Sequence, residues 1–223
     1  KMSPQCNNIE ALLFDLDGTL VDTAADFVFV LNHLRPKYGL EPINEQAIKN
    51  TVSNGAKALV QLAFGVNEGE LFEEYRKQLL DDYMKVVGNY ARLFEGMPDI
   101  LELCENKQIP WGIITNKPRK FTEKLLSRLN LTSRCSLLLC ADDVSQAKPH
   151  PESMHIAASR LKVNLEKSVY VGDHERDITA GNLANMITVI AKYGYISKDT
   201  NLAEWNASHM IDHPEQLKQL FLS

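Results

Sequence analysis

In Ile9-Glu10-Ala11-Leu12-Leu13-Phe14-Asp15-Leu16-Asp17-Gly18-Thr19-Leu20 a short apolar run ends on two acids one residue apart, followed by glycine and threonine. Such a run, stopped by a turn signal, reads as a buried strand. Similar runs recur at Ile109–Thr115, Ser136–Cys140, Ser168–Asp173 and Met186–Ala191. Two stretches between them have helical periodicity. Arg119–Leu131 places Phe121, Leu125, Leu126 and Leu129 on one side, and Glu152–Leu161 does the same with Met154, Ile156, Ala157 and Leu161. Strands alternating with helices of about 10–13 residues imply βαβ units. The predicted fold is α/β, a doubly wound and mostly parallel sheet covered by helices.

The rhythm fails once. Thr115 lies 100 positions after Asp15, whereas a βαβ unit needs only about 30 residues or slightly more. The excess predicts a helical unit over residues 22–92, inserted into an α/β core formed by 1–21 and 93–223. Asp22 and Thr23 are candidate caps for a first helix carrying Phe27, Val28, Val30, Leu31 and Leu34, with Gly39 at its end. Asn44 starts a second, Ala56–Phe64 forms a third, and a long fourth runs from Glu68 to about Tyr90. Gly96 and Pro98 mark the return to the core. A bundle placed over the end of the first strand is positioned to act as a lid.

Composition narrows the partners. The 24 Lys and Arg against 29 Asp and Glu leave a net charge of −5, which gives no basic face for capturing nucleic acid or an anionic membrane. No apolar run approaches the ~20 residues that cross a bilayer. Lys1-Met2-Ser3-Pro4-Gln5-Cys6 has no apolar stretch suited to export. Cys6, Cys104, Cys135 and Cys140 have no metal-ligand spacing. Reduced thiols and a cytoplasmic location are the expectation.

Asp15 and Asp17 project from the C-terminal end of a strand, the edge where open parallel sheets bind ligands. Two bare carboxylates so close repel, so a cation joins them or one keeps its proton. Thr115-Asn116, Lys148-Pro149 and Gly172-Asp173-His174-Glu175-Arg176-Asp177 follow later strands. Parallel strands bring these ends to one edge. A hydroxyl, an ammonium and four carboxylates gathered there suit Mg²⁺-assisted phosphoryl transfer.

The order Asp-Leu-Asp-Gly-Thr, Thr-Asn, Lys-Pro and Gly-Asp-x-x-x-Asp resembles the haloacid dehalogenase-like hydrolase superfamily over nearly the whole chain, and the insertion after Asp17 is similar to its helical cap of the first type. Asp22-Thr23, Phe94-Glu95-Gly96-Met97-Pro98, Thr115-Asn116-Lys117-Pro118 and Tyr193-Gly194-Tyr195 further resemble phosphoglycolate phosphatases and N-acetylmuramic acid 6-phosphate phosphatases. The resemblance implies Asp15 as nucleophile, forming an aspartyl-phosphate, and Asp17 as general acid and base. It implies Mg²⁺ held by Asp15 and Asp173, by the Asp17 carbonyl, and by Asp177 as ligand or outer anchor. Thr115 and Lys148 would stabilise the transferring phosphoryl group, with the Leu16 and Asn116 amides completing its cradle. An acid at Asp17 suits an alkoxide leaving group, which needs a proton, better than a halide, which does not.

For the substrate, Ser53-Asn54-Gly55 offers a hydroxyl, an amide and backbone donors near a helix start, and Lys57 a charge for a carboxylate. Lys117 and Arg119 are candidates for tuning the phosphate site or for the surface. His174 reads as a loop histidine or a fourth metal ligand. Trp111 and Trp205 read as packing residues. The expected partner is a small phosphorylated metabolite, 2-phosphoglycolate first and N-acetylmuramic acid 6-phosphate second, acted on by a monomer or homodimer. A β-phosphoglucomutase-like phosphomutase and a receiver-like signalling module are the rivals.

Overall fold

A computed structural model describes residues 8–221; Cys6 and the N-terminal stretch read for an export signal lie outside them. The first strand, β1 (Ala11–Phe14), is completely buried. A two-residue strand β2 (Val21–Asp22) leads into four helices: α1 (Ala24–Leu34), α2 (Glu45–Val52), α3 (Gly55–Phe64) and α4 (Gly69–Val86). The chain returns through β3 (Arg92–Leu93). It continues as α5 (Met97–Asn106), β4 (Trp111–Ile114), α6 (Arg119–Arg128), β5 (Leu137–Leu139), α7 (Glu152–Leu161), β6 (Ser168–Gly172), α8 (Glu175–Leu183), β7 (Ile187–Ala191) and β8 (His209–Ile211). A 3-10 turn over Pro214–Phe221 completes the described chain.

The main sheet has the order β5-β4-β1-β6-β7-β8, and every neighbouring pair is parallel. From β1 the chain moves outward through β4 and β5, then returns to the opposite side for β6, β7 and β8. That reversal opens a crevice at the carboxyl end of β1, the place such sheets reserve for ligands. Residues alternate across β1. Leu12 and Phe14 face a core shared with α5 and α6, while Ala11 and Leu13 face one shared with α7 and α8.

The expected boundaries at 21/22 and 92/93 fall within an antiparallel ribbon that the sequence pattern does not reveal, in which Val21 pairs with Leu93 and Asp22 with Arg92. Both passages between sheet and helices run through it. Asn44 caps α2 as expected, its side chain accepting from the Gln46 and Ala47 amides. Three details differ. Thr23 does not cap α1 with its side chain; its hydroxyl donates instead to Asp17 Oδ1 at 2.6 Å. The first helix ends at Leu34, and a 3-10 turn over Arg35–Tyr38 carries the chain to Gly39. The fourth helix stops at Val86 rather than near Tyr90, because buried Asp26 of α1 accepts from the Gly88 and Tyr90 amides at 2.8 Å each. Amides engaged by a carboxylate from another helix cannot extend their own.

Among the described residues no helix is long and apolar enough to cross a membrane. Cys104 and Cys140 are buried, and all three described cysteines are free.

Candidate active site

The centre is built on Lys148, which the loop after β5 carries back under the sheet edge. Its ammonium, with three protons, lies within hydrogen-bond distance of four acceptors: Asp15 Oδ1 at 3.0 Å, Asp177 Oδ1 at 2.7 Å, the Ile114 carbonyl at 3.0 Å and Tyr170 Oη at 2.7 Å. Asn116 fixes this loop: its side chain donates to the Lys148 carbonyl at 2.9 Å and accepts from the Lys148 amide at 3.1 Å. Tyr170 passes its own proton to the Ile114 carbonyl at 2.6 Å. Burial works against the charge on Lys148, but Asp15 and Asp177 outweigh it and hold the ammonium protonated.

Asp15, Asp173 and Asp177 each bring a carboxylate oxygen within 4.8 Å of the others, all buried. Asp177 also closes the start of α8, accepting from the His174 amide at 3.0 Å. Asp173 accepts from Thr19 Oγ1 at 3.2 Å, the Tyr195 amide at 3.0 Å and Ser53 Oγ at 2.9 Å. Burial and the neighbouring carboxylates push Asp173 well above the ordinary aspartate range, and burial with Asp177 pushes Asp15 up against the pull of Lys148. Three buried acids sharing one ammonium are under-neutralised. A hard divalent cation with oxygen preference fits this donor set, so the residues present suit Mg²⁺.

Two glycines make the approach possible. Gly18 has a φ of +80°, and a Cβ there would stand 2.3 Å from Asp173 Oδ2. A Cβ on Gly172 would stand 2.3 Å from that of Asp177. Either methyl would force the acids apart.

With this geometry in place, similarity to known proteins becomes specific. A family model described as haloacid dehalogenase-like hydrolase matches residues 12–191, from β1 to the end of β7. The chain belongs to the haloacid dehalogenase-like hydrolase family. An N-acetylmuramic acid 6-phosphate phosphatase of Pseudomonas aeruginosa is 38% identical over 210 residues, 94% of this chain and 93% of that one. A phosphoglycolate phosphatase of Xanthomonas campestris pv. campestris is 36% identical over 207 residues, 93% of this chain and 94% of that one. A crystal structure from Haemophilus somnus superposes with a TM-score of 0.84 at 23% identity, covering 98% of this chain and 99% of that one, and so shares the fold. Hydrolysis of phosphoric monoesters, the class expected from the motifs, is the class of both curated relatives.

In this haloacid dehalogenase-like hydrolase a cavity of about 360 Å³ separates the sheet edge from the helical insert. Asp15, Asp17, Thr115 and Asn116 line it from below, and Ser53, Asn54 and Gly55 from above. Leu16 is buried beneath the turn, its carbonyl accepting from the Leu20 and Val21 amides at 3.1 and 3.0 Å. Thr115 is buried and accepts from the Lys117 amide at 3.1 Å. Lys57 is exposed and is not part of the cavity wall; it points off α3 beyond the turn that lines the site. Arg119 pairs with Asp143 and Glu123 instead of reaching the phosphate site.

Lys117, left open between the site and the surface, is almost fully buried and donates to Asp17 Oδ1 at 2.9 Å. Its ammonium lies 5.2 Å from the ring centre of Phe27 and 4.7 Å from that of Tyr83, one from α1 and one from α4. Burial pulls its proton affinity down, and the Asp17 charge more than restores it. His174 closes α8, accepting from the Arg176 amide at 3.2 Å through Nδ1, while Nε2 lies 3.0 Å from Asn54 Oδ1. Burial and Arg176 lower its pKa to about 4. The ring is therefore neutral near pH 7 with its proton on Nε2, donating to Asn54. Tyr170, Tyr195 and Arg176 also belong to the site. Tyr195 and Arg176 fall inside quoted sequence motifs that by themselves give neither a role, and Tyr170 carries only a weak local signal, a hydroxyl in an otherwise apolar strand.

Proposed function

We propose that this hydrolase is a phosphatase that opens a small phosphomonoester through an aspartyl-phosphate on Asp15. Asp15 attacks phosphorus in line, the ester P–O bond breaks, and the departing alkoxide takes a proton from Asp17, which must first exchange its ion pair with Lys117 for that proton. Asp17 then takes a proton from the water that attacks the phospho-aspartate, releasing inorganic phosphate and restoring Asp15. Thr115 and the Leu16 and Asn116 amides would hold the transferring oxygens, and Lys148, bonded to Asp15 Oδ1 at 3.0 Å, would compensate charge. Asp15, Asp173 and Asp177, with the Asp17 carbonyl, would hold Mg²⁺, which when bound supplies Lewis-acid stabilisation of phosphoryl charge. The observation that carries the reading is the convergence of Asp15, Asp173, Asp177 and Lys148 at one buried point, from positions as far as 162 residues apart.

The cavity supports a substrate larger than a two-carbon acid. Its volume of about 360 Å³ and its apolar wall of Phe27, Val52, Leu59, Leu80, Tyr83 and Phe121 match pockets of roughly 300–1,000 Å³ that hold drug-sized ligands. A two-carbon acid leaves most of it empty. This favours a sugar phosphate such as N-acetylmuramic acid 6-phosphate, the substrate named for the 38% identical relative, over 2-phosphoglycolate, named for the 36% identical one. No nucleic acid or membrane partner is proposed, and the location we infer is the cytoplasm.

Phosphate release with Mg²⁺ from N-acetylmuramic acid 6-phosphate, 2-phosphoglycolate and β-glucose 1-phosphate tests this directly. Release is expected fastest from the first. Isomerised glucose phosphate without free phosphate would instead establish a mutase.

A further inference from the structure

Three cationic side chains line the cavity: Arg76, Lys117 and Arg176. Lys117 is spent on Asp17 and two aromatic rings. Arg76 pairs with Glu73 at 3.3 Å, and its side chain is 45% exposed. Arg176 is different. Its Nη2 donates to the Ser53 carbonyl, and its Nε is buried without a hydrogen-bond partner. Asp15 and Asp177, the acids of the same corner, are both engaged by Lys148. Among the described residues Arg176 makes no ion pair.

A guanidinium with a buried, unpartnered Nε and no carboxylate within ion-pair distance leaves hydrogen-bonding capacity unused. Its planar fork matches a carboxylate through two parallel N–H···O bonds, a geometry lysine lacks. Arg176 is also anchored on a different element from the residues proposed to hold the transferring phosphoryl group, although its charge reaches Asp15. It leans on the loop between α2 and α3 at Ser53, while Thr115 and the Leu16 and Asn116 amides belong to the sheet edge. The first turn of α3, at Asn54, Gly55 and Ala56, lies on the same cavity wall, and a helix start favours a nearby anion.

We propose that Arg176 is the specificity-determining residue that takes a carboxylate borne by the leaving group, in place of Lys57. The inference rests on the phosphatase reading and adds to it: the substrate class becomes carboxylated phosphomonoesters. The guanidinium positions the ester by holding its second anionic group.

The test compares N-acetylmuramic acid 6-phosphate with the primary amide of its lactyl carboxylate, and 2-phosphoglycolate with 2-phosphoglycolamide. The wild-type protein, R176K and R176Q are assayed for phosphate release with Mg²⁺. The wild type should prefer the carboxylate in kcat/KM by roughly 10- to 100-fold within the pair it turns over best. In R176Q that ratio should collapse toward one, with R176K in between, because lysine keeps the charge and loses the fork. The ratio is independent of how much folded protein a variant yields. A wild-type preference below about two-fold would overturn the inference while leaving the phosphatase reading intact. So would an R176Q ratio equal to the wild-type one, which would make the guanidinium a phosphate contact or a latch on Ser53. No phosphate release from any ester would overturn both.

Discussion

Two lysine–aspartate pairs stand at the floor of the cavity and are built in different ways. Lys148 and Asp15 meet entirely within the α/β core: the ammonium is anchored by Ile114 and Tyr170, on the two strands that flank β1, and shared with Asp177 of α8. Lys117 and Asp17 meet under the insert, where Asp17 also takes the Thr23 hydroxyl and Lys117 is enclosed by Phe27 and Tyr83. The first pair is fixed wherever the helices stand. The second is assembled in part by the helices themselves. The proposed nucleophile and the proposed proton donor are two residues apart in sequence, yet only Asp17 is tied to the helical insert.

Breaking the first pair should cost most. K148M leaves Asp15 and Asp177 facing each other without their ammonium, and removing one partner of a buried ion pair destabilises by about 3–5 kcal/mol. Turnover should fall by roughly 10³-fold or more whichever ester is used, since the loss precedes any question of leaving group. Steady-state kinetics on two esters checks this, with thermal melts reporting the fold. Removing divalent metal with a chelator should likewise stop turnover of every ester, and Mg²⁺ should restore it and raise the melting temperature by binding only the folded state.

Breaking the second pair should have a smaller and selective effect. K117M should lower kcat by about 10- to 100-fold for a sugar phosphate, whose alkoxide needs the proton of Asp17. It should affect p-nitrophenyl phosphate much less, because nitrophenolate leaves without one. An equal loss on both esters would show that Lys117 positions the substrate and not the acid. T23V, which deletes the 2.6 Å bond to Asp17, should follow the same selectivity with a loss of only a few-fold.

The smallest effect sharpens the comparison most finely. The Tyr83 hydroxyl is buried without a partner, so its ring, stacked on Phe27 at 4.2 Å, is what encloses Lys117. Y83F should leave turnover and stability within about 0.5 kcal/mol of wild type. Y83L, which removes the aromatic face, should reproduce part of the K117M defect on the sugar phosphate.

The same division governs what could be read from the letters alone. Asp15, Asp173 and Asp177 each follow a strand whose apolar run and abrupt polar end are local features, and parallel pairing then delivers them to one edge. Their meeting was therefore legible before any coordinates. Lys148 was legible by its place in the loop after a later strand, which puts it at the same edge, but nothing near it marks a residue about to be buried. The insert side was legible as helices but not as a surface. Lys57 and Arg176 were indistinguishable in kind, and only the fold leaves one exposed on α3 and brings the other onto the Ser53 carbonyl beside the cavity. The end of α4 is set by Asp26, more than sixty positions away. Lys117 is buried because two helices close over it, a condition written in no short window of sequence.

The claim on which the rest depends is that Asp15 becomes covalently phosphorylated. The direct measurement is acid quenching during turnover with Mg²⁺, followed by mass spectrometry of the peptide containing Asp15. One phosphoryl group on Asp15 in the wild-type protein, lost on chase with unlabelled buffer and absent from D15N, is the predicted result. Sustained phosphate release by D15N, or turnover with phosphate on a different residue, would contradict the account.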